Sequence, residues 1–265
     1  MHGPIMTRLR CDRRLGCSAR ILSPDSLISR PMSHPHPLDN PIWNALATEH
    51  AQFAEGGPLA RRYPAEVGPL SGIAASQSPA SYRALSSLAG PGGVLVLFLT
   101  EPPTPTPGWT LIRSCPLSQM ICLNPERISS APEASGTTVR RLTPSDVPAM
   151  LELTALTEPG PFRPRTIDLG LFFGIFDSGR LLAMAGQRLH LPDAIEVSAV
   201  CTHPDARGCG YARALMALVI ADIRQRGKTP FLHVLPENDA AIRVYQSLGF
   251  SLRTTFHLAV LKNEA

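Results

Sequence analysis

Lysine is nearly missing from this chain: Lys228 and Lys262 stand against 23 arginines, in a sequence that also holds 27 prolines. That bias points to a GC-rich, bacterial coding sequence. Long apolar runs are missing too. None approaches the roughly 18 residues that a membrane helix needs, so no helical membrane span is expected. The six cysteines, Cys11, Cys17, Cys115, Cys122, Cys201 and Cys209, contain no CxxC pair for zinc and are too few in 265 residues for a disulfide scaffold. A reducing, cytoplasmic setting without a metal site follows. His34 and His36 form an HxH, but they sit among prolines with no third ligand nearby and read as polar loop.

A domain-scale basic surface is also lacking. The formal charge of +4 belongs to residues 1–31, where Arg8, Arg10, Arg13, Arg14, Arg20 and Arg30 outweigh Asp12 and Asp25. From Met32 onward 19 basic residues meet 19 acidic ones, which leaves no footprint for a phosphate backbone, so nucleic acid is not an expected partner. Residues 1–31 have no apolar h-region or small-residue cleavage site. They are expected to be a disordered or non-native extension upstream of a start at Met32.

Among the features present, Ile42, Leu46 and Phe53 keep a loose helical spacing, and ValLeuValLeuPheLeu, 94–99, reads as a buried strand behind GlyProGlyGly. ProProThrProThrPro, 102–107, can continue neither sheet nor helix. Residues 109–113 and 116–123 follow as two strands. A small mixed domain over 32–125 and a Ser/Pro/Gly linker over 126–136 are expected.

From 137 the pattern changes. Val139 to Leu142 look extended, and ThrProSerAsp, 143–146, opens a helix that runs to about Thr157. Residues 171–176 and 181–186 flank AspSerGlyArg as a hairpin. Strict alternation over 195–202 puts Ile195, Val197, Ala199 and Cys201 on one face, with Glu196, Ser198, Val200 and Thr202 on the other. After a glycine turn, Ala212, Leu215, Met216, Val219 and Ile223 form one helical stripe that ends at Gly227. A strand over 229–235, a helix capped by Asn238 or Asp239 and ending at Leu248, and a strand over 251–261 complete an α/β (α+β) domain, 137–265, with a mixed sheet flanked by helices.

The turn ThrHisProAspAlaArgGlyCysGlyTyrAlaArg, 202–213, joins a strand to a helix N-terminus, where free amides and the positive end of the helix dipole make an anion site. Gly208 and Gly210 let a phosphate approach the backbone, and Arg207 and Arg213 add charge at the rim. A dinucleotide fingerprint counted from Gly208 wants a small third residue and meets Arg213 instead. GlyLysThr, 227–229, lacks the glycine five residues earlier that a P-loop needs, because Asp222 stands there.

The third reading is a resemblance. Arg207-Gly208-Cys209-Gly210-Tyr211-Ala212 matches R/Q-x-x-G-x-G/A and, between its strand and its helix, resembles the acetyl-coenzyme A loop of the GNAT superfamily of N-acetyltransferases. Asn238, AlaAlaIleArgValTyr and SerLeuGlyPhe, 247–250, look like that family's second signature. The likeness covers about 137–265 and is nearest to the branch similar to glycine N-acyltransferase. By GlyProGlyGlyValLeuValLeuPheLeu and LeuSerGlnMet, residues 32–125 resemble that branch's smaller, degenerate GNAT-like first domain.

The resemblance implies a GNAT fold, acetyl-CoA as cosubstrate, and transfer of an acetyl group to a primary amine of a small molecule or peptide. It implies that Arg207, Gly208, Cys209, Gly210, Tyr211, Ala212 and Arg213 hold the pyrophosphate. Ala199, Val200, Cys201 and Thr202 would offer backbone groups to the pantetheine arm, and Asn238 would bond the cofactor. Tyr245 would protonate the leaving thiolate, unless it is a core tyrosine on the stripe Ile242, Tyr245, Leu248. Alternation places Glu196 as general base, against a substrate anchor, a satisfied polar residue or a water chain in its stead. His190, His203 and His233 are weaker candidates, and Cys209 has no paired histidine to make it a nucleophile. The competing class is a non-catalytic acyl-CoA-binding regulatory module. The acceptor is open, and so is the oligomeric state, a homodimer included.

Overall fold

Pairing is antiparallel at every recorded strand neighbour but one, and that exception places the site. A computed structural model describes residues 36–75, 78–104, 106–123 and 137–264. In chain order the elements are α1 (Pro41–Ala47), β1 (Glu55–Gly56), β2 (Ala60–Arg62), β3 (Ser71–Ile73), α2 (Pro79–Ala89), β4 (Val94–Leu99), β5 (Trp109–Cys122) and β6 (Thr137–Arg141). There follow α3 (Val147–Thr157), β7 (Phe172–Asp177), β8 (Arg180–His190), β9 (Ala194–Thr202), α4 (Tyr211–Gln225), β10 (Thr229–Val234), α5 (Asp239–Ser247) and β11 (Phe250–Asn263). One small sheet runs β1-β2-β3. The main sheet has eight strands in the order β4-β11-β5-β10-β9-β8-β7-β6.

That order shows how the two halves of the sequence meet. β4 and β5 lie within 32–125, yet they flank the last strand, β11, in the main sheet. The sheet is therefore not divided where the sequence suggests two domains, and 126–136 lie outside the described residues. Residues 1–31, with the extension expected there, also lie outside them.

The two strands expected at 109–113 and 116–123 are one, β5, which runs through Pro116. A proline is tolerated there because β10 pairs β5 only from Ser118 to Ile121, so at Pro116 the ladder stands on the β11 side alone. α2 carries its own signals, Ser78 capping the amide of Ser81 and Gly90 ending the helix at φ 68°.

Apolar packing lies around this sheet in distinct clusters. α4 lays Leu215, Met216, Val219, Ile220 and Ile223 against Ile195 and Val197 of β9 and Phe250 of β11, as its stripe predicts. α3 packs Met150 and Leu153 with Phe172, Met184 and Cys201. α1 buries Ile42, Ala45 and Leu46 with Phe98, Phe231 and Phe256.

Alternation fails at one point in β9. Ala199 has φ +51°, and the register against β8 slips by a residue between Ser198 and Cys201. This is a β-bulge. Past it the faces exchange: Ala199 and Cys201 pack with the α3 cluster, while Val200 packs with Ile195 and Val197 against α4. The expected sharing of faces by Ile195, Val197, Ala199 and Cys201, and by Glu196 and Val200, is thereby corrected.

Candidate functional site

β9 and β10 are the parallel pair, and their ladder covers only Ala194 with Thr229, Ile195 with Pro230, and Glu196 with Phe231. Beyond it β9 runs on to Thr202 and β10 to Val234 with no further recorded pairing between them. A cleft of about 1060 Å³ opens there, lined by Val200, Cys201 and Thr202 on one strand and by His233, Val234 and Leu235 on and after the other. Small-molecule pockets run from roughly 300 to 1,000 Å³, so this cleft lies at the large end of that range.

The glycine turn forms one end of the cleft. His203 stands before a single 3-10 turn, Pro204–Ala206; its Nε2 accepts from Arg180 Nη2 at 2.6 Å, and its Nδ1 lies 3.2 Å from the Asp205 amide nitrogen. That histidine is engaged in shaping the loop. Gly208 and Gly210 follow at φ +81° and +77°, and Gly210 is the residue before α4. A Cβ on Gly208 would meet open space, so the left-handed backbone, and not crowding within the protein, asks for glycine. The first recorded helical bond near the start of α4 runs from Ala214 N–H to Gly210 C=O, and the amides of Tyr211, Ala212 and Arg213 precede it.

Arg207, Gly208, Gly210, Tyr211, Ala212 and Arg213 all line the cleft. Arg213 also donates to Ser247 Oγ at 3.3 Å, tying α4 to α5. Cys209 is exposed and Ala199 packs toward α3, and neither is among the lining residues. Asn238, not Asp239, caps α5, its Oδ1 accepting from Ala241 N–H at 3.2 Å while the residue borders the cleft.

Tyr245 borders the same cleft at only 8% exposure, its ring 6.3 Å from that of Phe250. Burial pushes its phenol up to about 12, with Cys201 adding to the effect. The phenol therefore holds its proton at neutral pH. Burial likewise lifts the Cys201 thiol to about 11, so it is not a thiolate nucleophile.

Glu196 is fully buried, and its contacts define a polar row across five strands. Arg188 of β8 grips it with Nε to Oε2 at 2.8 Å and Nη2 to Oε1 at 2.6 Å. His233 Nδ1 lies 2.7 Å from Oε1. Gln119 of β5 accepts at Oε1 from Arg253 of β11, so its Nε2 is the donor toward Leu38 C=O at 3.1 Å and His233 Nε2 at 3.2 Å. His233 must then accept at Nε2 and donate from Nδ1 to Glu196. It is a neutral imidazole, and burial depresses its pKa against the pull of Glu196. Arg253 closes the row on Asp39 at 2.6 Å.

For Glu196 burial alone would raise the pKa, but Arg188 and His233 outweigh it and hold the carboxyl at about 2. Arg188 and His233 line the cleft, whereas Glu196 lies behind them. Alternation predicts Glu196 beside Val200; the bulge at Ala199 separates their faces. Arg188, Gln119 and Arg253 escape a motif search. Their signal is a charged or amide residue inside an otherwise apolar strand, rare unless it is paired.

His190 lies apart from this row, stacked on His50 at 4.9 Å, and His50 Nδ1 meets the Tyr63 hydroxyl at 2.7 Å. Burial lowers His50 from 6.5 to about 3, with His190 adding to the effect, and lowers His190 to about 4, with the charges of Arg226 and Lys228 adding to it. Both are neutral in the fold and free to protonate near 6.5 once unfolded, so the unfolded chain binds more protons below that pH. Stability is expected to be full above pH 6.5 and to fall from there toward pH 4, measured by thermal melts across that range. His50→Gln with His190→Gln should flatten the fall, and an unchanged slope would remove the pair as its source.

Residues 172–258 match the family described as FR47-like protein. A solved structure assigned to the GNAT family of acetyltransferases, from Novosphingobium aromaticivorans, is 38% identical, covers 87% of this chain and 100% of its own, and has a TM-score of 0.78. The ribosomal protein bS18-alanine N-acetyltransferase of Escherichia coli is 29% identical over 123 residues, 44% of this chain and 82% of that one. A mycothiol acetyltransferase of Thermomonospora curvata is 39% identical over 84 residues, 31% of this chain and 28% of that one. Fold, site and relatives together define an acetyltransferase. The chain belongs to the GNAT family.

Proposed function

We propose that the protein is an acetyl-CoA-dependent N-acetyltransferase that moves an acetyl group directly onto a primary amine of a small molecule or peptide. The observation that carries this reading is a single cleft in which the αL glycine turn of α4, the splayed edges of β9 and β10, and the Tyr245 phenol all meet. The two curated relatives, named for bS18-alanine and for mycothiol, support acetyl transfer and not one acceptor. The finer likeness to glycine N-acyltransferase, with a reduced GNAT-like first half, rests on the sequence motifs alone.

In the proposed reaction acetyl-CoA supplies a thioester: the amine nitrogen bonds the carbonyl carbon, the C–S bond breaks with its electron pair on sulfur, and the amine loses a proton while the sulfur gains one. The amides at the start of α4, with Arg207 and Arg213, bind the pyrophosphate. The β10-facing backbone edge of Val200 to Thr202, which has no recorded pairing to β10, takes the pantetheine arm as an added strand, and the Asn238 amide nitrogen donates to the cofactor. Tyr245 gives its proton to the departing sulfur. Glu196 acts as a positioning residue through Arg188 and His233, and the amine proton leaves through water in the open cleft.

Tyr245→Phe is expected to lower kcat by about 10²–10⁴-fold while the acetyl-CoA Kd stays within roughly twofold. Coenzyme A release in the steady state, with calorimetry for binding, checks both. Unchanged turnover would remove Tyr245 as the acid. Acetyl-CoA binding without release toward any primary amine would favour the non-catalytic acyl-CoA-binding module instead.

A further inference from the structure

The end of the cleft away from the glycine turn has its own chemistry. Val96 and Phe98 of β4, Leu258 and Val260 of β11, and Leu117 of β5 line it. Their register, Val96 with Val260, Phe98 with Leu258, and Leu117 with Phe256, places them on one sheet face. Arg113 lies on the same face of β5, four residues from Leu117 and six from Gln119. At about 3.3 Å per residue that makes an apolar lane of roughly 20 Å, with Arg113 at its outer end and Arg188 and His233 at its inner one.

Guanidinium outnumbers carboxylate along this lane. Among the described residues its charged lining groups are Arg113, Arg188 and Glu158, His233 is neutral, and the Glu196 carboxylate is out of reach behind Arg188. A polycationic amine would set ammonium groups against guanidinium. Arg188 is held through its Nε and Nη2 edge by Glu196, so the Nη1 edge is the one not committed to that pair. Its side chain is 13% exposed, and the residue lines the cleft. The ion pair also holds the guanidinium still, which lowers the ordering cost of a ligand that binds it.

We infer that the acceptor is an apolar α-amino acid, with its carboxylate on Arg188, its amine beside the splay of β9 and β10, and its side chain along the lane toward Arg113. This rests on the N-acetyltransferase reading above and narrows its acceptor. Glycine would leave the lane empty. An ω-amino acid would carry its carboxylate to Arg113 instead.

The test is calorimetric binding to the full chain saturated with coenzyme A, followed by coenzyme A release from acetyl-CoA with the same amines. Leucine and phenylalanine are expected to bind about ten- to a hundredfold more tightly than isoamylamine and phenethylamine, which lack only the carboxylate. Glycine and 8-aminooctanoate should bind more weakly than leucine. Arg188→Lys keeps the buried charge beside Glu196 but loses the fork, and should cut the leucine to isoamylamine ratio at least tenfold. Equal affinity with and without the α-carboxylate, preference for glycine or the ω-acid, no amine binding, or an unchanged ratio in Arg188→Lys would each overturn the inference. A carboxylate preference in binding with no turnover would overturn the N-acetyltransferase reading and leave the acceptor site standing.

Discussion

Glu196→Ala is expected to destabilise the fold by about 3–5 kcal/mol, because it leaves the Arg188 guanidinium and the His233 Nδ1–H facing a cavity with no carboxylate. In a protein of this size each kcal/mol shifts the melting temperature by roughly 2–4 °C, so a fall of about 6–20 °C is expected by calorimetry. The acid side supplies an independent check. Glu196 sits at about 2 in the fold against an ordinary 4.5, so its contribution is present above pH 4.5 and is lost as pH falls from there to about 2. Glu196→Gln keeps an acceptor for His233 and should lose less stability. If Glu196 were the general base, the same Gln variant would lower kcat strongly with little change in melting temperature. That outcome would return it to the catalytic machinery.

Gly210→Val is expected to weaken coenzyme A binding at least about a hundredfold, as read by calorimetry. The residue stands at φ +77° just before α4, a conformation that a β-branched residue adopts only under strain. Strain of roughly 1–3 kcal/mol should leave the protein folded, so helix content by circular dichroism is the control. Normal affinity in a folded variant would remove the glycine turn from the cofactor site.

Local chemistry was legible wherever a residue acts through its own backbone or its immediate neighbours. Gly208 and Gly210 name a left-handed turn because few other residues enter it, and the stripe Leu215, Met216, Val219 and Ile223 names the buried face of α4. Asn238 was one of two candidate caps, and only the hydrogen bond to Ala241 separates it from Asp239. Pro116 reads as a break because a proline cannot complete a two-sided ladder. That β10 ends short of it, leaving β5 paired there by β11 alone, is a matter of tertiary register.

Glu196 shows the limit most clearly. Period-two alternation carries it to the face of Val200, and a single inserted residue at Ala199 undoes that, since every side chain past a bulge changes sides. Its partners come from β8 and β10, and the row continues to β5, β11 and Asp39, so the longest link joins residues 214 apart in sequence. No local pattern encodes such distances. Arg188 was visible only as an odd charge in an apolar strand.

By itself the sequence determined the strand, glycine turn and helix that can hold an anion, together with the tyrosine downstream, because those properties reside in φ preference, periodicity and capping within a few residues. The tertiary structure decided that β9 and β10 part after three pairs, that β4 and β5 wall the other end of the cleft, and that a buried carboxylate stands behind an arginine. Those facts depend on which strands become neighbours, and neighbours are chosen by packing over the whole sheet.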